Sequence, residues 1–259
     1  MAATVKTADL IAKFQYALDN NWGYILGTWH SKWTQAAQNE KVGYMKKTYG
    51  DGWKDNESAK KDKNYTAALY GSKWIGHYVT DCSGLFYWAF KELGGYMYHG
   101  SNTMWNKYCS SQGKLSNGKR TDGKELKPGT AVFVLKNSTD RSHVGLFIGG
   151  DKVIEASGTK VGVVISKITD KKWSEWGELK GLIYDGNAEQ ASSSSSSEIS
   201  IGSAVVNAEK VALRSAPSTS ASILVRVDKG NRVQLLDKDW ARVSYQGKTG
   251  YMMRKFLTE

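Results

Sequence analysis

The sequence predicts an α+β fold followed by a small all-β module. Three observations carry that expectation. Apolar helical periodicity is confined to the region before Gly95, short β patterns dominate after Pro128-Gly129, and a run of six serines, 192–197, interrupts the 259-residue chain. Helices that precede strands, rather than alternate with them, imply an antiparallel sheet.

Residues 7–20 read as a helix because Leu10, Ile11, Phe14 and Leu18 share one face. Residues 28–80 are polar and rich in Lys, Trp and Tyr, and their weak periodicity assigns no firm element. Trp29, Trp33, Trp53 and Trp74 in this stretch could wall a substrate groove, since aromatic faces stack on sugars. A satellite core beneath a long excursion is the favoured reading. Residues 83–93 form the strongest predicted helix, with Leu85, Phe86, Ala89, Phe90 and Leu93 apolar and Gly94-Gly95 as its stop. The segments "TAVFVL", "HVGLFIG", "KVIEAS" and "VGVVISKI" read as strands joined by Asn, Asp, Gly and Ser. "AEQASSSSSSEIS", 188–200, cannot bury apolar surface and reads as a flexible linker. It separates a domain at 1–187 from one at 201–259, where "RVQLL" and "ARVSY" alternate as strands of a small barrel.

The formal net charge is +11. Dispersed lysines, with no helix-turn-helix, RRM or zinc-finger pattern, argue against nucleic acid, and an anionic bacterial wall suits the charge equally well. No run of 18 or more apolar residues exists, so no membrane insertion is expected. Lys6, Asp9, Lys13 and Gln15 interrupt the start, so no signal peptide is expected, and synthesis in the cytoplasm is. Two cysteines, Cys82 and Cys109, neither form a disulfide framework nor stand at zinc spacing; no cofactor and no metal are implied, and a monomer is expected.

Cys82 stands at the first turn of the strongest helix, in "VTDCSGLFYWAF". A thiol there meets the positive end of the helix dipole and unpaired backbone N–H groups, which favour thiolate and can later hold an oxyanion. Gly84 removes bulk beside it, and Asp81 is placed to cap the helix while partly opposing the thiolate. His143, opening a short strand, is the best base of the four histidines. Glu155, twelve residues on and across a hairpin through Gly149-Gly150, is a plausible orienting group. Composition alone leaves open that Cys82 is packing and His143 a polar strand edge.

"DCSGLFYWAF", "LKPGTAVFV", "SHVGLFIGG" and "VIEASG" resemble, in order and spacing, the NlpC/P60 family of cell-wall cysteine peptidases. The resemblance covers residues 79–96 and 126–165, and "WGYILG" is similar to the family's Tyr-x-x-Gly segment. It implies a papain-like core and hydrolysis of an amide in peptidoglycan stem peptides, most often after γ-linked D-glutamate. Cys82 is then the nucleophile, His143 the base and Glu155 the third residue, while Tyr24, Asp81 and Ser83 line the substrate cleft. Two departures stand out: Glu155 replaces the commoner histidine, and the stretch from Tyr24 to Cys82 is far longer than usual. The second domain resembles a bacterial SH3 (SH3b) module, with Arg214, Pro217, Trp240 and Tyr251 at its motif positions and cell wall as its expected ligand. The combination resembles phage or prophage endolysins, which reach the wall after release from the cytoplasm. An N-acetylmuramoyl-L-alanine amidase and a non-catalytic wall-binding protein are the alternatives.

Overall fold

The computed structural model describes residues 5–170, 172–184, 202–214, 223–235, 241–245, 248–252 and 257–258. The chain divides into two compact units, Met1–Glu189 and Gln190–Glu259. The serine-rich stretch 188–200 lies outside the described residues.

The first unit is α+β. It opens with β1 (Val5–Lys6) and α1 (Thr7–Asp19), which buries Thr7, Leu10, Phe14 and Ala17. β2 (Gly23–Tyr24) and β3 (Ser31–Lys32) precede α2 (Gln35–Tyr49), α3 (Glu57–Lys60), α4 (Tyr65–Tyr70) and β4 (Tyr78–Thr80). The central helix α5 (Cys82–Glu92) starts one residue before the predicted span, and α6 (Ser101–Tyr108) follows it. Then come β5 (Cys109–Ser116), β6 (Lys119–Arg120), β7 (Ala131–Leu135), β8 (Arg141–Gly149), β9 (Lys152–Gly158), β10 (Gly162–Lys167), β11 (Glu175–Leu179) and β12 (Leu182–Ile183).

Seven of these strands form one sheet in the order β10-β9-β8-β7-β11-β5-β6, and every neighbouring pair is antiparallel. The four predicted strands are β7 to β10. β5, with the sequence CSSQGKLS, and β11 have no alternation to betray them; β11 enters the sheet between β5 and β7. One face of the sheet packs on α5, whose Leu85, Phe86, Ala89 and Phe90 are at most 1% exposed. Each large one of these contributes roughly 1.5–3 kcal/mol by leaving water. Phe14 of α1 meets Phe86 edge-on at 4.7 Å between ring centres, so α1, α5 and the sheet share one core. That core fixes the start of α5 against β8.

The long excursion between Tyr24 and Cys82 is folded back by a three-stranded sheet. β2 pairs in parallel with β4, setting Tyr24 opposite Thr80, and β3 pairs with β4 from the other side. Trp33 and Trp74 are buried with Ile25, Ala67 and Val79, and Trp53 with Met45, Ala59 and Ala68. These three tryptophans therefore hold satellite cores. Trp29 differs: it is half-buried and packs edge-on to Tyr87 of α5 at 4.8 Å.

The second unit is all β. Strands β13 (Gly202–Val206), β14 (Val211–Arg214), β15 (Ile223–Val227), β16 (Arg232–Leu235), β17 (Ala241–Tyr245), β18 (Lys248–Met252) and β19 (Leu257–Thr258) form a sheet in the order β15-β14-β18-β17-β16-β13-β19. Ala204, Val206, Val211, Leu213, Val227, Val233, Val243 and Met252 fill its core. Arg214 stands opposite Tyr251 in the ladder. Pro217 and Trp240 lie outside the described residues.

Candidate active site

The site begins at the junction of β4 and α5. Asp81 has extended backbone, and its side chain accepts from the N–H of Gly84 at 2.7 Å, so it is the cap of α5. Its other oxygen accepts from the N–H of Gly27 at 2.8 Å, and its own N–H donates to the Thr28 carbonyl at 2.9 Å. The 27–28 turn is thereby pressed against the helix start. A side chain at Gly84 would collide with the Thr28 carbonyl oxygen, so this glycine lets the 27–28 backbone pack closely on the helix start.

Cys82 is 7% exposed. Burial, and then the Asp81 carboxylate, push its thiol up to about 12, while the N–H groups of Val144, Ser83 and Cys82 itself pull the other way. The helix start thus acts in the expected direction, but in the free protein burial outweighs it and the resting group is a thiol. The Val144 N–H places the thiol against β8, next to His143.

His143 leaves β8 opposite Val134 of β7. Its Nε2 lies 2.5 Å from Oε2 of Glu155, and its ring stacks on Trp173 at 5.6 Å. Glu155, on β9, is 1% exposed, and its other oxygen accepts from Lys172 Nζ at 2.5 Å. Burial works against ionisation of Glu155, but the hydrogen bonds from His143 and Lys172 prevail and hold it down at about 2. A buried carboxylate of this kind needs a cation, and Lys172 supplies it whatever the charge on the imidazole. Contact of Nε2 with Glu155 leaves Nδ1 as the nitrogen for proton exchange.

Residues 65–178 match the NlpC/P60 family and residues 209–258 match the bacterial SH3 domain. The chain carries an NlpC/P60 domain joined to a bacterial SH3 domain. That pairing is the organisation of an NlpC/P60-type peptidoglycan hydrolase with a wall-binding module. Among solved structures, the chain is similar to the NlpC/P60 domain of the peptidoglycan hydrolase SagA, with 14% identity over 68% of this chain and 100% of that one, at a TM-score of 0.38. It is similar also to the peptidoglycan hydrolase RipB from Mycobacterium tuberculosis, with 18% identity over 67% of this chain and 83% of that one, at 0.31. Ly7917 is a third, with 13% identity over 96% and 92% of the two chains, at 0.28. No curated protein matches the chain.

Tyr24 lies ahead of the span matched to the NlpC/P60 family, yet its pairing with β4 returns it to the site. Its phenol is pushed up by burial and then by Cys82 and Asp81. Ser83 is buried, and its hydroxyl donates to Asp81 at 3.2 Å. Asp81 and Ser83 are therefore engaged with each other and with backbone. Two residues in contact with the site carry no motif signal. Lys172 follows a turn and is one lysine among many. His99, in a stretch between α5 and α6, has Nε2 2.9 Å from both oxygens of Asp81. Both cysteines are free thiols. Among the described residues no group of His, Cys, Asp and Glu could hold a metal ion, and no helix is long and apolar enough to cross a membrane.

Proposed function

We propose that the chain hydrolyses an amide bond in peptidoglycan stem peptides, the bond after a γ-linked D-glutamate, with Cys82 as nucleophile. The observation that carries the reading is the contact of His143 with the buried, ionised Glu155 on strands that also press Val144 N–H against the thiol. Substrate binding excludes water, and Cys82 gives its proton to Nδ1 of His143 as the sulfur attacks the amide carbonyl. Glu155 stabilises the imidazolium that forms. The tetrahedral oxyanion is held by the N–H groups at the start of α5. Collapse expels the amine, which takes the proton from His143 and leaves a thioester. Water, deprotonated by His143, then attacks the thioester, releasing a carboxylate and restoring the thiol. Tyr24 flanks the reacting carbonyl from β2.

The SH3 domain would bind wall polymer and raise the local concentration of the catalytic unit, an effect of tethering. Action on the wall after release from the cytoplasm, as by an endolysin, is consistent with this reading. Clearing of purified walls, followed by mass spectrometry of the fragments, tests it. A cut within the peptide supports the proposal. Intact stem peptides freed from the lactyl group would make the enzyme an amidase, and undigested wall would make it a binding protein.

A further inference from the structure

Asp81 presents a difficulty for the chemistry. The residue is 4% exposed and adjacent in sequence to the nucleophile, and its negative charge opposes formation of a Cys82 thiolate. It cannot simply be dispensed with, because the same carboxylate caps α5 and ties down Gly27. His99 lies where that charge can be countered. Its Nε2 is 2.9 Å from Oδ1 and 2.9 Å from Oδ2, so this nitrogen carries a proton and donates to the carboxylate fork. The ring is also stacked on Tyr87, five residues beyond Cys82 on α5, at 6.2 Å. A donor shared between both oxygens fixes the carboxylate plane and draws its charge away from the thiol.

We propose that His99 is a positioning residue for the reaction at Cys82: by holding both oxygens of Asp81 it lets that carboxylate cap the helix while offsetting the charge that works against the thiolate. The inference rests on Cys82 being the nucleophile of the proposed hydrolysis. The titratable groups facing this cluster are Cys82 and Tyr87 from α5, Tyr24 from β2, and His143 with Glu155 across the thiol; the Lys91 ammonium lies 5.8 Å from the Tyr87 ring centre. His99 touches Tyr87 through its ring and Asp81 through its Nε2, so a variant that keeps a ring isolates the effect on the thiol that passes through Asp81.

Alkylation of Cys82 by iodoacetamide, followed across pH in a Cys109→Ser background, reads the thiolate without any wall substrate. His99→Phe keeps a ring against Tyr87 but removes the donor. His99→Gln loses the ring but keeps an N–H donor. The proposal requires the Phe variant to alkylate about tenfold more slowly near neutral pH, with its curve displaced to higher pH by about one unit, and the Gln variant to stay near wild type. Combining Asp81→Asn with His99→Phe should remove the displacement, because no carboxylate remains to be offset. A role in ring packing alone gives the reverse order, Phe near wild type and Gln impaired, and overturns the proposal. So does a displacement that persists in the Asn/Phe double variant. If the Phe variant does not fold, a Gln variant with the wild-type curve supports the proposal and one with a displaced curve overturns it. Absence of wall hydrolysis in the wild-type protein, with alkylation as expected, would sink the proposed function and with it the role in the reaction, leaving only the effect of His99 on the thiol.

Discussion

Cys82 and Cys109 differ in what surrounds them far more than in their resting acidity. Burial pushes each thiol up to about 12. Around Cys109 the opposing influences are the distant charges of Lys180 and Arg141, and its Sγ lies 3.5 Å from the Met104 carbonyl oxygen, an acceptor that favours the neutral thiol. Around Cys82 they are three backbone N–H groups, with a histidine on the neighbouring strand backed by a buried carboxylate. A low resting pKa is therefore not what separates a reactive cysteine from a structural one in this protein. The difference lies in donors aimed at the sulfur and in a base that can take its proton when substrate arrives.

The largest expected effect breaks the comparison outright. Cys82→Ala should abolish wall hydrolysis, a loss of at least a thousandfold, with an unchanged melting curve, while Cys109→Ser should keep full turnover. If Cys109→Ser eliminates turnover in a folded protein and Cys82→Ala does not, the nucleophile has been misassigned. Next in size is Glu155→Gln, expected to lower kcat about a hundredfold with little change in KM. The amide still accepts a hydrogen bond from His143 but does not stabilise the imidazolium, so the acid limb of the rate profile should move to lower pH. Glu155→His restores the commoner family residue, but it leaves Lys172 facing an imidazole in place of a carboxylate. Recovery of turnover should accordingly require Lys172→Met alongside it, and full recovery without that second change would show that Lys172 is not coupled to the site.

A smaller contrast sharpens the comparison between the two thiols. Near neutral pH, Cys82 should alkylate about tenfold faster than Cys109 in native protein, and the ratio should fall toward unity in denaturant. Equal native rates would remove the argument from donors and base. The smallest effect concerns stability. Glu155 is held at about 2 against an ordinary 4.5. A depressed carboxylate contributes stability that is complete above about pH 4.5 and is lost as pH falls toward 2. Thermal melts of wild type and Glu155→Gln should therefore differ most above pH 5 and converge as acid is added, by an amount of order 1–3 kcal/mol. A difference that does not depend on pH would mean that the charge of Glu155 contributes nothing to the fold.

Much of the fold was legible because its central elements carry their own burial pattern. α5 is apolar on most of its surface, and β7 to β10 are short β-rich runs bounded by turn residues, so periodicity alone places them within a residue or two. α2 was not legible, because QAAQNEKVGYMKKTY buries only Gln38 and Met45. β5 was not legible either. Its polar CSSQGKLS is mostly exposed and gains its place by pairing with β11 on one side and β6 on the other. In the site, Cys82, His143 and Glu155 stand in motifs, whereas His99 and Lys172 are ordinary residues until folding brings them to a carboxylate.

The sequence by itself determined that a thiol would begin the strongest helix, that a histidine and a carboxylate would sit twelve residues apart on adjoining strands, and that a second, all-β module would follow. These are local matters, set by side-chain period, turn residues and capping chemistry. Only the tertiary structure decided how charge is balanced around the thiol. Asp81 caps the helix but is countered by His99 from beyond the far end of α5, and Glu155 stays ionised with Lys172 seventeen residues away. Tyr24 reaches the site because β2 and β4 pair across the whole excursion. Electrostatic partners are chosen by distance in space and by burial, and neither quantity is written in the spacing of residues along the chain.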